Sequence, residues 1–136
     1  INYTDKDFVE EVEKIFGKNG IDVVYDGVGL KTFEGSIEVL KIRGMMVAFG
    51  NASGYVDTID VKKHINAKGL FFTRPSIAHY TIEREELLES AKKVFDALLS
   101  GKFKIEISKK YSLDEVKQAH EDLEGRLLTG PAVIKP

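Results

Sequence analysis

Two short apolar runs, VVY inside IDVVYD (21–26) and MMVAF (45–49), flank a single amphipathic stretch, and that arrangement constrains the fold more than any other feature. Neither run alternates polar with apolar, so both read as strands covered on two faces, as in a parallel sheet. Between them Phe33, Ser36, Ile37 and Leu40 share one helical face, with Gly44 as the expected stop. A strand–helix–strand unit of this kind crosses over right-handedly and receives ligands outside the carboxyl ends of its strands. The functional surface is therefore expected at residues 26–29 and 50–54.

The rest of the chain continues the alternation. Upstream, Thr4 is placed to cap a helix carrying Phe8, Val12, Ile15 and Phe16 on one face, with Gly17 or Gly20 ending it. Downstream, a short helical turn is expected near 61–67, and LFFTR (70–74) reads as another strand stopped by Pro75. Thr81 then opens the longest helix, whose wide apolar face holds Leu87, Leu88, Ala91, Val94, Phe95, Leu98 and Leu99 before Gly101. The pattern changes after Gly101. Ile105 and Ile107 alternate with Lys104, Glu106 and Ser108, as in a strand wet on one face. Ser112 and Glu115 form a capping box for a helix with Val116, Ala119, His120 and Leu123 inward, and 131–136 closes as a short strand. The change near Gly101 marks the expected domain boundary.

Composition narrows the function classes. With 136 residues and 43% hydrophobic content, the chain supports one compact core rather than two full-sized domains. Twenty basic residues against twenty-two acidic ones, with no basic tract, leave no footprint for nucleic acid. There is no cysteine, and the three histidines are too scattered for a metal-ligand spacing, so chemistry without a metal is expected. No apolar run reaches the length of a membrane span, and no signal-peptide pattern is present, which points to a cytoplasmic protein. The first residue is Ile and INY reads as the tail of a strand, so the sequence is expected to be a piece of a longer chain.

DGVGLKT imitates the dinucleotide fingerprint, since a strand enters a Gly-x-Gly turn that opens a helix. Thr32 stands where the third glycine belongs, and no acid follows about twenty residues on. A later strand-to-helix junction of the same sheet fits better, with Gly27 and Gly29 letting backbone approach a ligand; an ordinary tight turn would look the same. GNASG (50–54) offers amide and hydroxyl groups suited to a carboxamide or a ribose, as would any polar loop. His120 reads as a hydrogen-bonded core histidine.

Taken together, INY, VVYDGVG, GMMVAFGNASG, LFFTRPS, the Glu-rich helix and EGRLLTGPAVIKP resemble the quinone oxidoreductase family, the zinc-free, NADPH-using branch of the medium-chain dehydrogenase/reductase superfamily. The resemblance implies an α/β fold in which residues 1–101 are the second half of a Rossmann-type parallel sheet. Residues 102–136 would be the returning segment of a GroES-like catalytic domain. It implies cofactor-binding roles for Tyr3, Gly27, Val28, Gly29, Phe49, Gly50, Asn51, Ser53, Phe72, Thr73 and Arg126, and no catalytic acid or base or metal ligand among these residues. The phosphate-binding glycine loop would lie upstream, so the piece alone is expected to be inactive. The implied reaction transfers a hydride from NADPH to a quinone or related conjugated carbonyl. The implied assembly is a homodimer through the 70–74 edge strand. An enoyl or alkenal reductase of the same superfamily, and a non-catalytic, dimerising crystallin-like protein, are the other readings.

Overall fold

The computed structural model describes residues 1–136, which divide into two compact units, Ile1–Ile82 and Glu83–Pro136. The division falls before the long helix, whereas the change in sequence pattern lies after it, at Gly101.

In the first unit, α1 (Phe8–Phe16) is capped by Asp7 rather than Thr4. Asp7 Oδ1 accepts the Val9 N–H at 2.8 Å, while the Thr4 hydroxyl is spent on Asn2 Oδ1 at 2.7 Å. Gly17 ends the helix as expected, its N–H donating to the Glu13 carbonyl. Then follow β1 (Ile21–Asp26), α2 (Phe33–Val39), β2 (Leu40–Ala48), a single π-helical turn at Val61–Asn66 and β3 (Phe71–Thr73). All three strands are parallel in the order β1-β2-β3, so the expected α/β unit is present.

The strand-like stretch after α2 begins earlier than Gly44, because the helix is stopped from outside. The Lys68 ammonium donates to the carbonyls of Glu38 at 2.7 Å and Leu40 at 2.8 Å, satisfying C-terminal carbonyls that the helix leaves open. β2 then takes up extra residues: Ile21 pairs with Leu40 but Val23 with Met45, and Arg43 sits at φ 61° in that irregularity. From Met45 onward the register is regular.

The core of this unit is Phe33, Ile37, Leu40, Met46 and Leu70, with Leu40 and Met46 fully buried. β1 departs from expectation, since Val23 is 41% and Tyr25 73% exposed. β1 is an edge strand and α2 covers one face only; nothing in this unit lies over the other side chains. His64 is buried, with Nδ1 accepting the Asp60 N–H at 3.1 Å and Nε2 lying 3.1 Å from Glu34 Oε1. It ties the π-helical turn to α2.

In the second unit, α3 (Arg84–Leu99) starts at Glu83, not Thr81, because the Thr81 hydroxyl bonds the Ile77 carbonyl at 2.9 Å. None of its residues is buried; Phe95 is 61% and Leu99 85% exposed, so the apolar face has no cover within this unit. The strand expected at 105–107 is absent. It forms instead as β4 (Lys109–Ser112), because β5 (Ala132–Lys135) sets the parallel register from Lys109↔Ala132 onward. The Ser112–Glu115 capping box is present, leading through a short 3₁₀ turn into α4 (Val116–Glu124).

The inward residue of α4 is Asp122, not the expected Val116, Ala119, His120 and Leu123. Val116, His120 and Leu123 are exposed and Ala119 half-buried, so His120 is no core histidine. Asp122 accepts from Lys109 Nζ at 2.6 Å, the Tyr111 hydroxyl at 2.6 Å and Gln118 Nε2 at 2.7 Å. These donors, Lys109 first, hold its carboxyl at about 2, below the usual 3.8, against the opposing effect of burial. A polar anchor thus outcompetes the apolar stripe.

Two outcomes follow. Leu40→Ala is expected to cost about 2–5 kcal/mol in urea denaturation, the usual range for a fully buried leucine. Because the Asp122 carboxyl is depressed when folded, its contribution is complete above the ordinary value of 3.8 and fades as pH falls toward about 2. Asp122→Asn should therefore lower the melting temperature at neutral pH, with the gap from wild type closing across that acid window.

Candidate functional site

The carboxyl ends of β1 and β2 lead into two turns, 27–29 and 49–54, and the structure folds them onto each other. A Cβ at Gly50 would lie 2.3 Å from the Gly27 carbonyl oxygen, so only glycine allows the chains this close. Gly29 sits at φ 87°, and a Cβ there would lie 2.6 Å from the Gly54 carbonyl oxygen. The close approach that the sequence suggested for a ligand is thus made by the neighbouring loop. Above Gly27 lies the Phe49 ring, itself 54% exposed.

Hydrogen bonds lock the pair. Ser53 donates from its N–H and its hydroxyl to the Val28 carbonyl, both at 2.8 Å, and its Oγ accepts the Lys31 N–H at 2.9 Å. The Leu30 N–H reaches the Gly54 carbonyl at 3.1 Å. Ser53 therefore acts first as a clasp between the turns.

Beneath them sits Asp26, a buried acid at the end of β1. Its Oδ1 accepts the N–H groups of Val28 at 2.8 Å and Gly29 at 2.9 Å, and its Oδ2 the hydroxyls of Thr32 at 2.8 Å and Ser36 at 2.9 Å. Burial pushes its carboxyl up, but the donors from Gly29, Thr32, Val28 and Ser36 outweigh it and leave it below the ordinary range. The charged carboxylate thus fixes the first turn and the start of α2 together.

Of the residues singled out in the sequence, Gly27, Val28, Gly29, Phe49, Gly50, Asn51 and Ser53 are brought together here. Tyr3 lines an open cavity with Tyr25, Asp26, Gly27 and Val28, which none of residues 49–54 lines. Phe72 is turned inward against Phe33, ring centroids 6.3 Å apart, and Thr73 pairs with Val47 one strand over. Arg126 belongs to the second unit, just past α4, in a left-handed conformation at φ 56°.

Asp26 lies within the surface expected at 26–29 but was given no role there, and Arg74 was no part of the expected surface. Asp26 had a signal: an acid closing an apolar strand, with hydroxyls six and ten residues on at Thr32 and Ser36. Arg74 had none. Its Nη1 donates to the Ala48 carbonyl at 2.9 Å and its Nη2 to Asn51 Oδ1 at 2.7 Å, contacts that join residues more than twenty positions apart.

The arrangement offers half-buried backbone and amide groups beside an exposed aromatic ring, at the carboxyl ends of parallel strands, where α/β sheets take ligands. It offers no donor set for zinc: the chain lacks cysteine, and no three His, Asp or Glu side chains gather to hold a metal.

Comparison with known proteins matches residues 1–134 to a family described as zinc-binding dehydrogenase. The chain is 41% identical over 137 residues to 2-haloacrylate reductase of Burkholderia sp, covering 100% of this chain and 41% of that protein. It is likewise 41% identical over 139 residues to quinone oxidoreductase 1 of Escherichia coli K12, covering 100% of this chain and 42% of the relative. The crystal structure of Escherichia coli quinone oxidoreductase complexed with NADPH superimposes with a TM-score of 0.92 at 40% identity, over 100% of this chain and 42% of that one. The structure of 2-haloacrylate reductase gives 0.83 at 40% identity, with the same coverage. The chain thus spans about two fifths of the length of these relatives.

Gly50→Ala is expected to prise the turns apart. Overpacking against rigid backbone should cost about 1–3 kcal/mol, read as a lower midpoint in urea.

Proposed function

Because the chain belongs to the zinc-binding dehydrogenase family, and its α/β fold corresponds to the C-terminal Rossmann-like part of quinone oxidoreductases, we propose that the full-length protein is an NADPH-dependent quinone oxidoreductase. It reduces a quinone or related conjugated carbonyl. The observation that carries this reading is the union of turns 27–29 and 49–54 at the ends of adjacent parallel strands. Residues 1–101 form the second half of the dinucleotide-binding domain, and residues 102–136 return to the GroES-like catalytic domain. NADPH, when bound, supplies the hydride.

What these residues do is bind and orient. Phe49, Gly50 and Asn51 border the nicotinamide, with Phe49 presenting an exposed ring and Asn51 a side-chain amide. Ser53, Gly27, Val28 and Gly29 hold the shape of that border and face the ribose. Tyr3 serves the adenosine end, Phe72 and Thr73 the carboxamide side, and Arg126 is a further contact to the cofactor. No side chain here is assigned as acid or base, and no step passes through a metal. The 136-residue chain alone binds NADPH weakly and turns over no substrate, because the glycine loop that anchors the pyrophosphate on a helix N-terminus lies outside it.

β3 is one of the two edges of the sheet, with Phe71 61% exposed. An apolar edge of this kind calls for cover, and pairing with the same strand of a second copy, giving a homodimer, supplies it. No helix is long and apolar enough to cross a membrane; a cytoplasmic setting completes the proposal.

A second reading rests on one observation. The 41% identity to 2-haloacrylate reductase equals that to quinone oxidoreductase 1, so reduction of an activated carbon–carbon double bond is the competing activity. The deciding experiment follows NADPH oxidation by the purified full-length protein with a quinone and, separately, with a 2-haloacrylate. Quinone turnover with at least about a tenfold advantage in kcat/KM, or about 1.4 kcal/mol, is expected. A reversed ratio selects the second reading, and no oxidation with either acceptor defeats both.

A further inference from the structure

The turn that follows β2 is held from outside by a side chain on another strand. Arg74, immediately after β3, donates from Nη1 to the carbonyl of Ala48 at 2.9 Å and from Nη2 to Asn51 Oδ1 at 2.7 Å. One contact is to the last residue of β2 and the other to the loop beyond it, so a single planar guanidinium spans the bend at Phe49 and Gly50. Lysine could not reproduce this, because an ammonium is a point charge without a rigid fork of donors.

The contact also decides which way the Asn51 amide faces. Arginine carries donors and no acceptor, so only the carbonyl end of the Asn51 side chain can meet it. The amide nitrogen is left over. No protein group accepts from Asn51 Nδ2, although the residue is half-buried and its backbone carbonyl is already taken by the Gly54 N–H at 3.0 Å. Asn51 thus presents a pair of N–H donors in a fixed direction, with its acceptor end occupied.

We infer that Arg74 is a positioning residue of the dinucleotide site, holding the Asn51 amide so that Nδ2 faces the ligand as a donor to an acceptor oxygen of the bound nicotinamide nucleotide. The inference rests on the functional reading above and deepens it. Arg74 touches no ligand in this scheme. It acts through Asn51, by excluding the flipped amide that would present an oxygen where a donor is needed. It also keeps the loop at the distance from β2 that the Ala48 contact sets.

The test uses the full-length protein and measures NADPH affinity by fluorescence titration, alongside kcat and the KM of the quinone. Arg74→Ala and Asn51→Ala should each raise the NADPH Kd about tenfold, within the range for a hydrogen bond involving a charged group or an amide left without its partner. The double variant should be no worse than the weaker single one, because both remove the same contact. Arg74→Lys should recover only part of the loss, and the quinone KM should stay within about twofold. A role confined to stability would lower the melting temperature of Arg74→Ala without moving Kd, and that overturns the inference. So does a double-variant loss near a hundredfold, the product of independent effects. Should Arg74→Ala not fold, Asn51→Asp decides the matter, since the carboxylate keeps the arginine and loses both donors: normal melting with weakened NADPH binding supports the inference, and undiminished binding overturns it. Wild-type protein that does not bind NADPH removes the functional reading and this inference together, whereas wild-type binding with unaffected variants removes only the inference.

Discussion

The buried carboxylate of Asp26 is the constraint on which the site depends. A charge taken from water at the end of a strand is tolerable only when several donors replace its hydration. Asp26 finds four, in the N–H groups of Val28 and Gly29 and the hydroxyls of Thr32 and Ser36. Meeting that demand bends the chain into the first turn and fixes where α2 begins. The turn in turn offers the Gly27 and Val28 carbonyls to the second loop, where the N–H groups of Ala52 and Ser53 and the Ser53 hydroxyl close the pair. Strand end, turn, helix start and second loop are thereby one hydrogen-bonded body rather than two adjacent loops.

Lys68 plays a comparable part at the other end of α2. Its ammonium reaches Asn19, Glu38 and Leu40, so one cation ends the helix and pins the connection before β1. Burial lowers its proton affinity, the expected cost of withdrawing an ammonium from water, and the carbonyls gathered around it offset that cost. With Asp26 at one end and Lys68 at the other, α2 is oriented on the sheet by charge-assisted bonds as well as by Phe33 and Ile37.

The second unit follows a different logic. Its centre is Asp122 with Tyr111, Lys109 and Gln118, a polar anchor where the sequence shows apolar stripes. α3 keeps its apolar residues exposed, as β1 keeps Val23 and Tyr25. The chain spans about two fifths of the length of its relatives. Periodicity identifies such faces, but it does not say whether the covering residues are on the same stretch of chain.

Residues and spacing alone determined the alternating α/β order, the bounds of β1, the parallel pairing of β1 and β2, the capping box at Ser112 and the placing of the two glycine turns at the carboxyl ends of adjacent strands. Those features are local or follow from handedness, so a few neighbouring residues suffice to encode them. Helix starts at Asp7 and Glu83, the placement of β4 at Lys109 rather than Ile105, and the inward turn of Asp122 were decided by tertiary structure. In each case a competing partner distant in sequence, or a hydroxyl already engaged elsewhere, settled which of several plausible residues took the role. The same holds for Arg74. Its contacts with Ala48 and Asn51 exist only because β3 lies beside β2, and no pattern within the chain brings an arginine to an asparagine twenty-three residues away.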